Sequence, residues 1–188
     1  MATVIVANDL VGVGKVALTS SLPIMSACQT EVLPLPTVLL SSHTGEFENI
    51  YMRDLTDDLK GFYKQWEHLD FTVDGLVSGY FKSREELKIV GQLARDKRIA
   101  LFVDPIMGDN GRLYQGFDME YVEAMKDFCQ QADAIIPNLT EAALLTDTPY
   151  LEAGSYDKAT VDKLLRDLTK LGPRKVVLTG ISFEEGKI

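Results

Sequence analysis

Short apolar runs rich in β-branched residues alternate along the chain with longer stretches in which apolar positions recur every three or four residues. The short runs predict strands at Thr3–Ala7, Glu31–Leu35, Thr37–Leu40, Gly75–Ser78, Ile99–Val103, Ala134–Ile136 and Val176–Thr179. Leu59, Phe62, Tyr63, Trp66 and Leu69 fall on one helical face behind Asp54, Asp57 and Asp58, acids that suit a helix N-terminus. Ser83 with Glu86 makes a capping box ahead of Leu87, Val90, Leu93 and Ala94. Val161, Leu164, Leu165, Leu168 and Leu171 form a further stripe, closed by Gly172-Pro173. The first helix, over Gly14–Ala27, contains Pro23, where a kink or short break is expected. This repeated β-then-α order predicts an α/β fold: three layers, a mostly parallel central sheet, and helices on both faces.

In open α/β sheets, ligands bind beyond the carboxyl ends of the strands. Six predicted strands run into polar clusters: Asn8-Asp9, Ser41-Ser42-His43-Thr44, Ser78-Gly79-Tyr80, Asp104 with Asp109, Asn138 with Glu141, and Thr179-Gly180. Any one of these reads as an ordinary turn. A parallel sheet puts all six at one rim, and together they favour a binding cleft.

Length and composition narrow the picture. With 188 residues and no linker, repeat or low-complexity tract, residues 1–188 read as a single domain. A net charge of -9 without a basic tract argues against nucleic acid as a main partner. It leaves room for a phosphate ligand, because local backbone donors and a metal can outweigh global charge. Cys28 and Cys129 belong to no CxxC and lie in apolar helical settings, so buried reduced thiols are expected. The opening residues read as a strand, and no segment approaches the ~18 apolar residues of a membrane span. A cytoplasmic protein is the resulting expectation.

The motifs differ in what they carry. "GVGK" at Gly12–Lys15 is not a Walker loop, since Asp9 stands where the first glycine is required and Val16 follows the lysine. A tight strand-to-helix turn is the better reading. His43 near a strand end is more often structural than catalytic, and His68 falls late on an amphipathic helix, at the surface. No zinc-ligand spacing and no G-x-S-x-G elbow is present. In "PNLTEAALL", Pro137–Leu145, Thr140 is expected to cap a helix with Glu141 in its first turn. That accounts for Glu141 but not for Asn138 directly after a buried strand. The alternative is that Asn138 and Glu141 hold a hydrated Mg²⁺, with Asp104 and Asp109 adding charge. Spacing alone leaves both readings open.

Taken in order, "NDLVGVGKVALT", "LPTVLLSSHTG", "DGLVSGY", "DPIMGDNGRLY", "PNLTEAALL" and "GPRKVVLTG" resemble the pyridoxal kinase branch of the ribokinase superfamily across nearly the whole chain. The resemblance implies a ribokinase-like fold. It also implies transfer of phosphate from Mg·ATP to the 5′-hydroxyl of pyridoxal, pyridoxine or pyridoxamine, by a homodimer. Position by position, it implies vitamin contacts at Asn8 or Asp9, at His43 and Thr44, and at Tyr80. Asp104 and Asp109 would stand near the phosphates and their cations, and Asn138 and Glu141 would be the Mg²⁺-associated pair. Thr179, followed by Gly180, would meet the nucleotide, and Tyr114 would ride on a loop covering the site. The alternatives are a hydroxymethylpyrimidine kinase and a vitamin-binding module without turnover.

The family's base is an Asp in a G-x-G-D motif, and these 188 residues contain none. No catalytic base is therefore assigned here. "VVLTGISFEEGKI" also reads as a strand followed by a hairpin cut before its return, so a chain shortened at its C-terminus is expected.

Overall fold

The computed structural model describes residues 1–44, 47–152 and 154–183. They form two compact units, Met1–Leu101 and Phe102–Ile188, each of which is taken by itself.

In the first unit, strand β1 (Ala2–Val13) lies between β2 (Thr30–Ser42) and β4 (Gly75–Ser78), parallel to both. The short β3 (Met52–Asp54) adds antiparallel to β2 at Val38–Leu40. Helices α1 (Ala17–Ala27), α2 (Thr56–Trp66) and α3 (Arg84–Lys97) complete the unit. Its interior holds Ile5, Ala7, Val38, Leu76, Phe81 and Val90, all fully buried.

Two expected strand ends move. β1 does not stop at Ala7: it slips register between Asn8 and Leu10, where β2 advances three residues against two, and then pairs on to Val13 with Ser42. Asn8-Asp9 therefore sits at a bulge inside a strand, not at a terminal turn. Gly12 permits the continuation, because a Cβ there would stand 2.7 Å from the Ser41 carbonyl oxygen. The two strands expected on either side of Pro36 are one. Pro34 and Pro36 pair in register with Val6 and Asn8, and β3 reaches β2 only from Val38 onward, so the prolines' missing N–H groups lie along an open edge. α1 likewise runs through Pro23 without a break; one lost backbone bond does not end it.

The aromatic stripe of α2 is only partly used. Leu59 is buried, Phe62 remains exposed, and Leu69 lies beyond the helix end. The Ser83–Glu86 capping box forms as expected. Cys28 corrects an expectation: it follows the last turn of α1 and is exposed, whereas Cys129 is buried and its thiol is pushed up by burial.

In the second unit, β5 (Ala100–Val103, shared with the boundary), β8 (Ala134–Ile135) and β9 (Lys175–Val176) are parallel neighbours in that order. Helices α4 (Met119–Cys129), α5 (Leu139–Thr146) and α6 (Lys158–Thr169) contribute Val122, Met125, Phe128, Leu145 and Leu168 to the core. The hydrogen bonding of β9 fades after Val176, yet Val177 and Thr179 still donate to the Ile135 and Pro137 carbonyls. Between β5 and α4, the polar loop after Asp104 contains a hairpin, β6 (Gly108–Asp109) with β7 (Arg112–Leu113). Its turn residues, Asn110 and Gly111, have φ of 50° and 74°, the left-handed pair that a two-residue hairpin requires. The expected terminal turn at Glu184-Glu185-Gly186 lies outside the described residues. Parallel strands joined through helices make each unit α/β, and no helix among the described residues is long and apolar enough to cross a membrane.

Candidate active site

In the first unit, Asn8 is a strut. Its Oδ1 accepts the Tyr80 N–H at 2.8 Å and the Asp9 N–H at 3.0 Å. Gly79 makes this approach possible, since a Cβ there would come within 2.4 Å of the Asn8 side chain. At the next peptide, the fully buried Thr37 hydroxyl donates to the Tyr80 carbonyl at 2.7 Å. Tyr80 is thus fixed between β1 and β2, and its ring packs on the cluster of Val11, Val38 and Leu40. Asn8, expected as a ring contact, spends its carbonyl on this scaffold and leaves Asp9 as the free acid beside it.

Asp9 is 8% exposed, and burial pushes its carboxyl up to about 6. The Tyr80 phenol is pushed to about 12 by burial first and by the Asp9 and Glu86 charges after it. The Ser78 hydroxyl, at the end of β4, is buried and makes no hydrogen bond. His43 stacks edge-on with Phe47 at 5.0 Å, and Gly14, at φ +112°, gives its ring room: a Cβ would lie 2.7 Å from Cδ2. The first half of "GVGK" is accordingly the end of β1, and only Gly14-Lys15 bend the chain past His43. Thr44 follows on the exposed side.

In the second unit, the predicted acids converge on the junction of β8 and α5. Asn138, not Thr140, caps α5: its Oδ1 accepts from the Thr140 and Glu141 N–H groups at 2.8 and 2.9 Å. An Asn one position before the helix reaches both orphan donors, which a threonine inside the first turn cannot do. Glu141 closes the capping box by accepting the Asn138 N–H at 2.8 Å. The same turn clasps the β6–β7 hairpin three times. Asn138 Nδ2 donates to the Gly108 carbonyl at 2.9 Å, Gly111 N–H donates to Thr140 Oγ1 at 2.9 Å, and Met107 N–H donates to Glu141 Oε1 at 3.3 Å. Thr140 and the Asn-Gly turn were not among the expected site residues; the turn's dipeptide was the available signal.

Burial is the first cause that pushes Glu141 up to about 8, opposed by its backbone donors and reinforced by the charge of Asp104. Asp104, at the end of β5, is pushed to about 6 by burial. Asp109 is exposed and folds back on the turn, accepting from Asn110 N at 2.8 Å and Nδ2 at 3.1 Å. Burial raises the Tyr114 phenol, and the charges of Asp109, Glu141 and Asp104 follow, so its hydroxyl lies within electrostatic reach of all three. Thr179 donates through N and Oγ1 to the Pro137 carbonyl at 2.9 and 3.3 Å, and Gly180 turns the chain away at φ +71°.

Asp104, part-buried, and Glu141, buried and further raised by the charge of Asp104, suit a nearby cation. Among the described residues no three His, Cys, Asp or Glu side chains form a metal cluster. Asn138 Oδ1 already accepts two N–H groups and each Glu141 oxygen one, so an ion here could also draw on Asp104.

Known proteins resemble this chain in sequence and in fold. The sequence profile of the phosphomethylpyrimidine kinase family matches residues 53–188. A Bacteroides thetaiotaomicron protein provisionally assigned as a phosphomethylpyrimidine kinase, crystallised with pyridoxal, is 36% identical; its TM-score is 0.91, over 98% of this chain and 65% of that one. Pyridoxal kinase from Lactobacillus plantarum is 37% identical, with a TM-score of 0.89 over 97% of this chain and 65% of that one. A Saccharomyces cerevisiae protein provisionally named a pyridoxal kinase is 32% identical over 120 residues, 59% of this chain and 37% of its own length. The chain thus spans under two fifths of that yeast relative and about two thirds of the two solved structures.

The architecture is the ribokinase-like α/β fold that the resemblance implied. The chain belongs to the phosphomethylpyrimidine kinase family.

Proposed function

We propose that residues 1–188 act as one ribokinase-like domain of an enzyme that transfers the γ-phosphoryl group of ATP to the 5′-hydroxyl of pyridoxal, pyridoxine or pyridoxamine. The observation that carries the reading is Asp104 beside the buried Glu141, whose carboxyl the charge of Asp104 helps to raise, with the helix turn of Glu141 bound to a glycine-turn hairpin. Phosphoryl transfer asks chiefly for positioning and for cancellation of charge, and these residues are disposed for both. Likeness to a protein crystallised with pyridoxal favours the vitamin over a hydroxymethylpyrimidine as acceptor.

Asp104 and Glu141 would hold Mg²⁺ through its waters; when bound, the ion offsets charge on the phosphates. The Gly108–Gly111 turn and Tyr114 would border the phosphates, with Asp109 on their exposed side and Thr179-Gly180 toward the nucleotide. Asp9, His43, Thr44 and Tyr80 would line the vitamin pocket, with Asn8 setting Tyr80. The reading assigns no general base to these 188 residues. A homodimer and a cytoplasmic location belong to the same reading.

Calorimetric titration with ADP, with and without Mg²⁺, tests it. Saturable binding that weakens about tenfold on chelation, a difference of about 1.4 kcal/mol, is expected, and Glu141→Gln should remove the metal's effect. Binding indifferent to both changes would overturn the assignment.

A further inference from the structure

We propose that Glu86 is a positioning residue for Tyr80, holding the turn between them in place as a neutral carboxyl group. The inference rests on the proposed place of Tyr80 beside the vitamin ring.

Glu86 is 0% exposed. Its Oε2 accepts the Lys82 N–H at 2.6 Å and the Ser83 N–H at 3.2 Å, so it ties both residues that follow Phe81 to the start of α3. Its Oε1 completes no hydrogen bond; the Thr56 hydroxyl on α2, 3.2 Å from Ser83 Oγ, and the Lys82 and Ser83 amides favour the charged form without outweighing burial. A helix cap needs only one of these oxygens, and an exposed glutamate would serve it equally well. The groups that face the carboxyl are Asp54 from β3, Thr56 from α2 and the Tyr80 phenol from the turn itself, none of them a cation. Among the described residues, Glu86 makes no ion pair.

A charge in this setting is opposed by burial and by Asp54, and burial pushes the carboxyl up to about 7. The proton therefore leaves near neutrality. The anion then draws water or shifts to find donors, and the segment able to yield is the turn from Tyr80 to Ser83. Tyr80 itself stays tethered at its peptide by Asn8 and Thr37, so the motion is felt as a loosened ring rather than as unfolding.

Two measurements on the wild type and on Glu86→Gln decide the matter, since Gln keeps the cap and cannot ionise. The first follows backbone amides by ¹⁵N–¹H correlation between about pH 6 and about pH 8.5. The Tyr80, Lys82 and Ser83 amides of the wild type should share a titration near pH 7 that the variant lacks, while a component near pH 6 at Tyr80, from the Asp9 that also faces it, should remain in both. If Lys82 and Ser83 show the titration near pH 7 while Tyr80 does not, Glu86 is a cap alone and the proposal fails. The second compares pyridoxal dissociation constants as a variant-to-wild-type ratio, which cancels the vitamin's own titration. That ratio should be near one at the acid end and fall about threefold to tenfold at the alkaline end, in step with ionisation. A constant ratio overturns the positioning role. Amides that titrate as expected in a protein that binds no pyridoxal would instead overturn the vitamin reading of the site.

Discussion

The backbone N–H of Gly111 donates to the Thr140 hydroxyl at 2.9 Å, joining the tip of the β6–β7 hairpin to the first turn of α5. Two short polar stretches some thirty residues apart, "DNG" and "NLTE", are thereby one construction. The hairpin that would border the phosphates is set by the helix that carries Glu141.

Thr140→Val keeps the shape and removes the acceptor. Loss of one hydrogen bond should cost about 1 kcal/mol of stability, read by chemical denaturation. Nucleotide affinity should fall while pyridoxal affinity holds, and Thr140→Ser should restore both. Equal losses for the two ligands would mean that the clasp serves folding only.

Asn138→Ala removes the cap and the bond to the Gly108 carbonyl together. A destabilisation of about 1–2 kcal/mol is expected from the cap alone. Hydrogen exchange should speed up at the Gly108–Gly111 turn as well as at the start of α5. Faster exchange confined to the helix would contradict the joint construction.

Gly79→Ala drives a methyl into Asn8, and breaking the Asn8–Tyr80 bond is the expected relief. The cost should be about 1–3 kcal/mol, as for overpacking elsewhere. Asn8→Ala in the same chain should recover part of that loss, a coupling visible in a double-mutant cycle on thermal stability. Strict additivity would show that the clash lies elsewhere.

Asp9 gives a pH dependence with a definite sign. Its folded value, about 6, lies above the ordinary 3.8, so its contribution is fully present below about pH 4 and is lost as pH rises through 6. Asp9→Asn should therefore become more stable than the wild type above that window, by roughly 2–3 kcal/mol at most. The same variant should bind pyridoxal more weakly. A stability difference that does not change between acid and neutral pH would place Asp9 in water rather than in the interior.

The strand-and-helix alternation was legible because apolar periodicity reports burial directly, and the Ser83–Glu86 box because both partners are local. What escaped depends on neighbours. Pro36 read as a break, yet it sits with Pro34 harmlessly on an edge that only β3's short reach leaves open. Asn8-Asp9 read as a strand end because a bulge opposite β2 has no signature in β1 alone. Asn138 and Thr140 exchanged roles because a cap is decided by which oxygen reaches two amides, a matter of one residue's offset. The acids of the rim were visible as residue types, but that the charge of Asp104 raises Glu141 required their being brought together.

The central claim is a pocket for the vitamin, and titration of the protein with pyridoxal and with hydroxymethylpyrimidine in parallel tests it most directly. The account predicts saturable binding of pyridoxal at one site per chain, at least about tenfold tighter than the pyrimidine and weakened in Asp9→Asn. Equal or tighter binding of the pyrimidine, or no saturable binding of pyridoxal, would contradict it.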